Sequence, residues 1–202
     1  MVKVVSALAV SVDGFITGRD PGPGNGLGDG GVLFDWYSNG DVPSSAFDGF
    51  RLYEPSRRVF DGAAASIGAV VAGRNTFDDS EGFGGGSPHP SAPMVVVSHR
   101  AAPPSVGDRQ RFVGSLAEGV AAARDLAGGK DVALMGGGVV TAALAAGVVD
   151  ELLLHQVPVL LGAGRRFFQQ LPAHISLTLT EAVPAPGVTH LRYRVDNSRK
   201  QS

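Results

Sequence analysis

The chain is predicted to be an α/β protein with a mixed, mostly parallel sheet, helices on both faces, and an antiparallel hairpin at its C-terminal end. Three observations predict this. Continuously apolar, β-branched runs occur at Ala69–Ala72, Met94–Ser98 and Asp131–Met135, as in strands covered on both faces. Segments of helical periodicity alternate with them. The last two runs, Ile175–Glu181 and Val188–Val195, alternate better: Leu191, Tyr193 and Val195 share one face, and Arg192 and Arg194 the other. They are expected to pair at a sheet edge.

The first strand is expected over Val2–Val12. This apolar run is too short to cross a membrane and leads into Asp13-Gly14 rather than a small-residue cleavage site, so it is read as neither span nor signal. From Gly18 to Pro43 the chain is glycine-rich, then carries Leu33, Phe34, Trp36 and Tyr37; a loop this long is expected to be functional. A helix is predicted from Pro55, a good first-turn residue, through Val59, Phe60, Ala63 and Ile67. A second loop, Asp79 to Pro93, contains Phe83 and His89. Further on, Ser115 is a suitable N-cap for a stripe of Leu116, Val120, Ala123 and Leu126. Val140, Leu144 and Val148 make another helix, and Glu151–Val157 another strand.

Bulk properties narrow the function. With 202 residues, 44% hydrophobic and 18% charged, one domain spanning 1–202 is expected, its last few residues disordered. A net charge of −2 argues against a non-specific nucleic-acid binder. There is no cysteine, which excludes thiolate chemistry and fits a cytoplasmic protein. The histidines show no metal-ligand spacing, and no metal is expected. His155, in an apolar strand, reads as a core or subunit-contact residue.

Three strand ends suit a nucleotide. In Val70-Val71-Ala72-Gly73-Arg74-Asn75-Thr76-Phe77 a buried strand, a glycine and a helix start follow one another, and Arg74 offers a planar fork matched to phosphate oxygens. Met135-Gly136-Gly137-Gly138-Val139-Val140-Thr141 repeats the pattern with no side chain to block a pyrophosphate. Ser98-His99-Arg100 could hold a 2′-phosphate. Each has an ordinary alternative: a surface arginine, a flexible turn, an exposed polar turn. Neither the dinucleotide fingerprint nor a P-loop is present, and the glycines from Gly22 to Gly30 are read as loop.

Taken in order, these pieces resemble the dihydrofolate-reductase-like superfamily. The branch is that of the C-terminal reductase domain of bifunctional riboflavin-biosynthesis deaminase–reductases. The matching residues are Ser11-Val12-Asp13-Gly14-Phe15-Ile16, Gly73 to Asp78, Val95 to Arg100, Gly136 to Gly138, Val149 to Leu152, Pro158 to Gly164 with Phe167, and Leu191 to Val195. The resemblance implies the three-layer fold of that superfamily and an NADPH-dependent reductase. Arg74, Thr76, Ser98 and Arg100, with Gly73, Asn75 and His99 beside them, would hold the phosphates and adenosine end. Gly136 to Val139, with Thr141, would cradle the pyrophosphate, and Ala9 and Ile16 would flank the nicotinamide.

Asp13 is the expected catalytic and substrate-contact residue, its carboxyl raised by burial after the first strand. Its alternative is a turn-former, and Asp35, Asp48 and Glu54 are the other acids in reach. Glu54, Trp36 and Phe83 are expected on the substrate side, the aromatics either stacking on a flat ring or anchoring loops. Relatives in the riboflavin pathway typically carry a lysine and a glutamate where this chain has Phe15 and Met135. That departure favours a less polar, pterin-like ring over a phosphoribosylamino-pyrimidine. A catalytically silent NADP-binding sensor on the same fold is the alternative function, and an FMN-using protein a third. A homodimer is expected, because the apolar Glu151–Leu161 run near the sheet edge needs cover.

Overall fold

The structure, a computed structural model, describes residues 2–104 and 106–196. The expectation for the last few residues therefore falls largely outside the described ones. In chain order the elements are β1 (Val4–Ser11), β2 (Val42–Pro43), β3 (Arg51–Leu52), α1 (Glu54–Ser66), β4 (Ile67–Gly73) and α2 (Arg74–Asp79). After these come β5 (Met94–Val97), β6 (Gln110–Val113), α3 (Leu116–Leu126), β7 (Asp131–Met135) and α4 (Gly137–Ala145). The chain closes with β8 (Glu151–Val157), β9 (Leu177–Ala185) and β10 (Val188–Val195).

Eight strands form one sheet in the order β6-β5-β4-β7-β1-β8-β10-β9. The pairs from β6 to β8 are parallel, and β10 runs antiparallel to both β8 and β9. This is the mixed, mostly parallel sheet with a C-terminal antiparallel hairpin that the sequence predicts. The Glu151–Leu161 run does not lie at an edge as expected: its strand part, β8, sits between β1 and β10 and is covered by them, while Leu160 beyond it is 72% exposed. The edges are β6 and β9.

Side chains of β1 separate the two faces by their period of two. Val4 and Val10 join Val71, Val95 and Leu134 beneath α3 and α4, with Val120, Ala123, Val140 and Leu144 closing that layer. Ala9 points the other way, into a cluster with Leu33, Trp36, Leu52, Val157 and Val188 against which Phe60 of α1 packs. The helices start as the residues dictate. Pro55 occupies the first turn of α1. Ser115 Oγ accepts from the backbone N–H of Glu118 at 3.2 Å, a cap worth about 1 kcal/mol. Helix α4 is apolar on nearly every side because the sheet and the loop after β8 bury it. It stops at Ala145, so Val148 lies beyond it.

Candidate active site

In a parallel sheet the loops leaving the carboxyl ends of neighbouring strands meet above the same edge. Strands β4, β7 and β1 are consecutive. Their three exits therefore wall one cleft of about 360 Å³. Its lining takes in Ala9 and Ile16 from the first exit, Gly73, Arg74, Asn75 and Thr76 from the second, and Gly136, Gly137, Gly138 and Val139 from the third. The two glycine turns interlock. A Cβ built on Gly136, whose φ is +98°, would lie 2.3 Å from Thr76 Oγ1.

At the start of α4, Gly136 is the N-cap and no side chain caps the helix. The first-turn amides are left without helical partners, beside a wall stripped of side chains. This donor set suits a pyrophosphate. Arg74 donates from Nε to Asp78 at 2.7 Å and from Nη1 to the Ala101 carbonyl at 2.8 Å, which leaves Nη2 for a ligand. Asp78 also receives Arg100 Nη2 at 2.8 Å. One carboxylate thus ties the 98–101 turn to Arg74, although Ser98, His99 and Arg100 stand outside the cleft wall. Ser98 Oγ closes that turn by accepting from Arg100 N at 3.0 Å. Thr141 is buried behind the wall, where its Oγ1 accepts from Gln169 N at 3.0 Å.

Residues after β8 complete the cleft: Arg165, Arg166 and Gln169 line it. Arg165 pairs with Asp79, and its backbone N–H donates to Thr17 Oγ1 at 2.9 Å. The Arg166 guanidinium lies 4.7 Å from the centre of the Phe15 ring, a cation–π contact. Sequence reasoning missed these three. The run Gly162-Ala163-Gly164-Arg165-Arg166, glycines followed by two cations, was the available signal.

A second, larger cavity of about 560 Å³ opens between the sheet and α1. Leu8, Ala9, Phe34 and Met135 line both cavities, so the two meet at the exits of β1 and β7. Its wall is aromatic, with Phe34, Tyr37, Phe47, Phe50, Phe60 and Phe83, and it includes His89 and His155.

The acid side differs from expectation. Asp13 lines neither cavity. Its carboxylate accepts from Ser11 Oγ at 2.5 Å and from the backbone N–H groups of Leu161 and Gly162 at 3.1 and 2.7 Å. The Ser11 hydroxyl foremost, with those two amides, holds the carboxyl down to about 2 against the opposing pull of desolvation. The expected upward shift is corrected: burial ends at Ser11, and the turn beyond it supplies donors. Asp13 is a latch for the 161–162 loop and is ionised at neutral pH. Asp35, Asp48 and Glu54 are exposed and line neither cavity, and Glu54 is engaged by Arg57 at 2.7 Å. Trp36 is 1% exposed and packs in the core, 5.0 Å from the His155 ring, so it is not on the cavity wall while Phe83 is.

With this geometry in view, comparison with known proteins is decisive for the family. The family model for the RibD C-terminal domain matches residues 2–191. The chain belongs to that family. It is an oxidoreductase of the nicotinamide-dependent kind. A search of curated proteins finds no match. Among solved structures, the chain is similar to a candidate riboflavin biosynthesis protein from Shewanella sp. PV-4, at 23% identity and a TM-score of 0.68, over 97% of this chain and 99% of that one. It also resembles a pyrimidine reductase-like protein from Corynebacterium diphtheriae, at 14% identity and a TM-score of 0.60, over 96% and 91% of the two chains. Enterococcus faecalis dihydrofolate reductase, solved with NADP(H) and RAB-propyl, matches at 15% identity and a TM-score of 0.54, over 96% of each chain. At these identities the structural likeness shows the fold alone.

Among the described residues no helix is long and apolar enough to cross a membrane, and no three His, Cys, Asp or Glu side chains gather as metal ligands would.

Proposed function

We propose that this RibD C-terminal domain protein is an NADPH-dependent reductase of a small flat heterocycle, pterin-like or a riboflavin-precursor-like pyrimidine. The observation that carries this reading is the shared wall of Leu8, Ala9, Phe34 and Met135, which joins a phosphate-suited cleft to an aromatic cavity. When bound, NADPH supplies the hydride; the protein positions and shields the reacting groups. In this reading Gly137, Gly138 and Val139 hold the pyrophosphate with backbone amides, while Arg74 and Thr76 hold the adenosine side. Ala9 and Ile16 face the nicotinamide where the cavities join, and the aromatic wall stacks the ring and keeps water from the junction. Arg74 and Arg100, already on one carboxylate, are the groups for a 2′-phosphate.

Arg74→Ala is expected to weaken NADPH by about 10- to 150-fold, the loss of one charge-assisted contact at roughly 1.5–3 kcal/mol, and NADH by much less. Titration calorimetry with both cofactors measures this. An equal loss for both removes the 2′-phosphate role.

The reading places the enzyme in the cytoplasm, consistent with its lack of cysteine. It also makes the protein a homodimer. Leu177 and Leu179 are 40% and 52% exposed on edge strand β9, and a second copy would cover them. Light scattering at micromolar concentration should give twice the chain mass; a monomer contradicts it.

A further inference from the structure

The polar atoms on the wall of the second cavity are few, and most are spent. Ser6 Oγ donates to the Leu134 carbonyl at 2.9 Å, and Ser66 Oγ to the Ala63 carbonyl at 2.7 Å. His89 is fixed by a 3.0 Å bond from Nε2 to the Ala64 carbonyl, while its Nδ1 accepts from the backbone N–H of Ala92 at 3.0 Å. At the far end the charges answer one another. Lys3 pairs with Glu151, and its backbone N–H donates to Asp131 at 2.9 Å. Arg192 lies 3.1 Å from Glu181 and 3.5 Å from Glu151. Among the described residues Arg192 is the one cation on this wall, and two carboxylates already hold it.

His155 is different. Its Nδ1 lies 2.7 Å from Nδ1 of His190, and His190 Nε2 lies 2.9 Å from Ser56 Oγ. His190 and Ser56 are 1% and 2% exposed, so the chain Ser56–His190–His155 runs from buried α1 to the cavity wall. Nε2 of His155 has no partner among the described residues. Two histidine nitrogens at hydrogen-bond distance can share one proton only, so the rings are locked in opposite roles. If His190 Nδ1–H donates to His155, Nε2–H of His155 is a donor to the cavity, and His190 Nε2 accepts from the serine hydroxyl. If His155 Nδ1–H donates instead, its Nε2 is an acceptor, and His190 Nε2–H donates to the serine oxygen. Both states are neutral and both satisfy every buried atom of the chain. Desolvation keeps them so, holding His155 well below its ordinary value and His190 at about 4.

We infer that the second cavity takes an uncharged, unphosphorylated ring system, and that His155 Nε2 meets its polar edge as donor or acceptor. His190 and Ser56 are positioning residues that set which of the two is presented. This rests on the second cavity being the substrate site. A largely apolar wall, whose free polar groups include His155 Nε2 and the Tyr37 hydroxyl, accepts a ring with a carbonyl or a ring nitrogen, and a phosphate would meet only Arg192, which two carboxylates already hold.

The test uses the full chain saturated with NADP⁺, so that nothing turns over, and two probes of equal size. Lumazine carries carbonyl and N–H edges; naphthalene carries none. Calorimetry should show lumazine preferred by the wild-type protein. His155→Phe, which keeps an aromatic ring, should weaken lumazine by about tenfold, the loss of one buried hydrogen bond. Naphthalene and NADP⁺ should stay within about twofold. Nitrogen NMR of the imidazoles reads the chain without any variant. Each ring should carry a single proton, and lumazine should drive both to one pair of tautomers, less completely in Ser56→Ala. Equal loss of both probes, no preference for lumazine in the wild type, or tautomers indifferent to lumazine would overturn the inference. Failure of the wild-type protein to bind NADP⁺ at all would instead remove the reading beneath it.

Discussion

Replacing Gly137 with alanine should weaken NADPH by about 100-fold and lower the melting temperature by about 2–12 °C. A Cβ there would lie 2.4 Å from the Arg166 carbonyl oxygen and 2.8 Å from that of Phe167. Both are backbone, so no side chain can rotate away. Either the start of α4 or the 165–167 segment must move, at about 1–3 kcal/mol for an overpacked contact. The cofactor effect follows from the same displacement, because those two segments adjoin in the wall of the cleft, and a shift of roughly 1 Å in positioned groups costs on the order of 100-fold. Gly138→Ala is the control. Its Cβ would meet Gln169 Nε2 at 3.8 Å, ordinary contact, so the variant should melt with the wild type. Calorimetry and a thermal melt decide the matter; wild-type values for Gly137→Ala would show that the segments are not in contact.

Phe167→Ala should be the most costly single truncation, at about 3–5 kcal/mol in urea unfolding with an unchanged slope. Phe167 is fully buried, its ring 4.4 Å from that of Phe168, and its backbone N–H donates to the Gly14 carbonyl at 2.9 Å. It pins the loop after β8 to both the Asp13 turn and α4. Removal empties a site that the backbone on either side cannot collapse to fill, and it frees Arg165 and Arg166 from the cleft wall. A loss below about 1 kcal/mol would mean that the loop is held by its polar contacts alone, Asp13 to the 161–162 amides above all.

Much of this architecture was legible because buried parallel strands leave a compositional mark. Val70-Val71-Ala72 and Val95-Val96-Val97 are apolar without a break, and each ends in a residue suited to an exit turn. Strand β6 was missed because Gln110-Arg111-Phe112-Val113 is short and half polar, as suits an edge. The two-residue strands β2 and β3 carry no periodicity at all. Strand order left no local trace either, so the Glu151–Leu161 run looked close to an edge although β10 covers its strand part.

The cleft at the strand exits was readable for a structural reason. Glycine and Arg74 sit directly at strand exits, and parallel exits must converge. The placement of the acids and aromatics was not. Asp13 takes its amide partners from Leu161 and Gly162, far away in sequence, so nothing nearby distinguishes a latch from an acid. Trp36 belongs to an aromatic group in which core anchor and stacking platform need the same side chain; only burial separates them. The His155–His190 pair joins neighbouring strands across 35 positions, and neither histidine alone carries its signature.

The most direct test of the account is a calorimetric titration of the wild-type protein with NADPH. It predicts one saturable site per chain, tighter for NADPH than for NADH, and abolished or strongly weakened in Gly137→Ala. Heats indistinguishable from dilution for both cofactors would contradict it, since the β4, β7 and β1 exits would then enclose a cleft with no dinucleotide to hold.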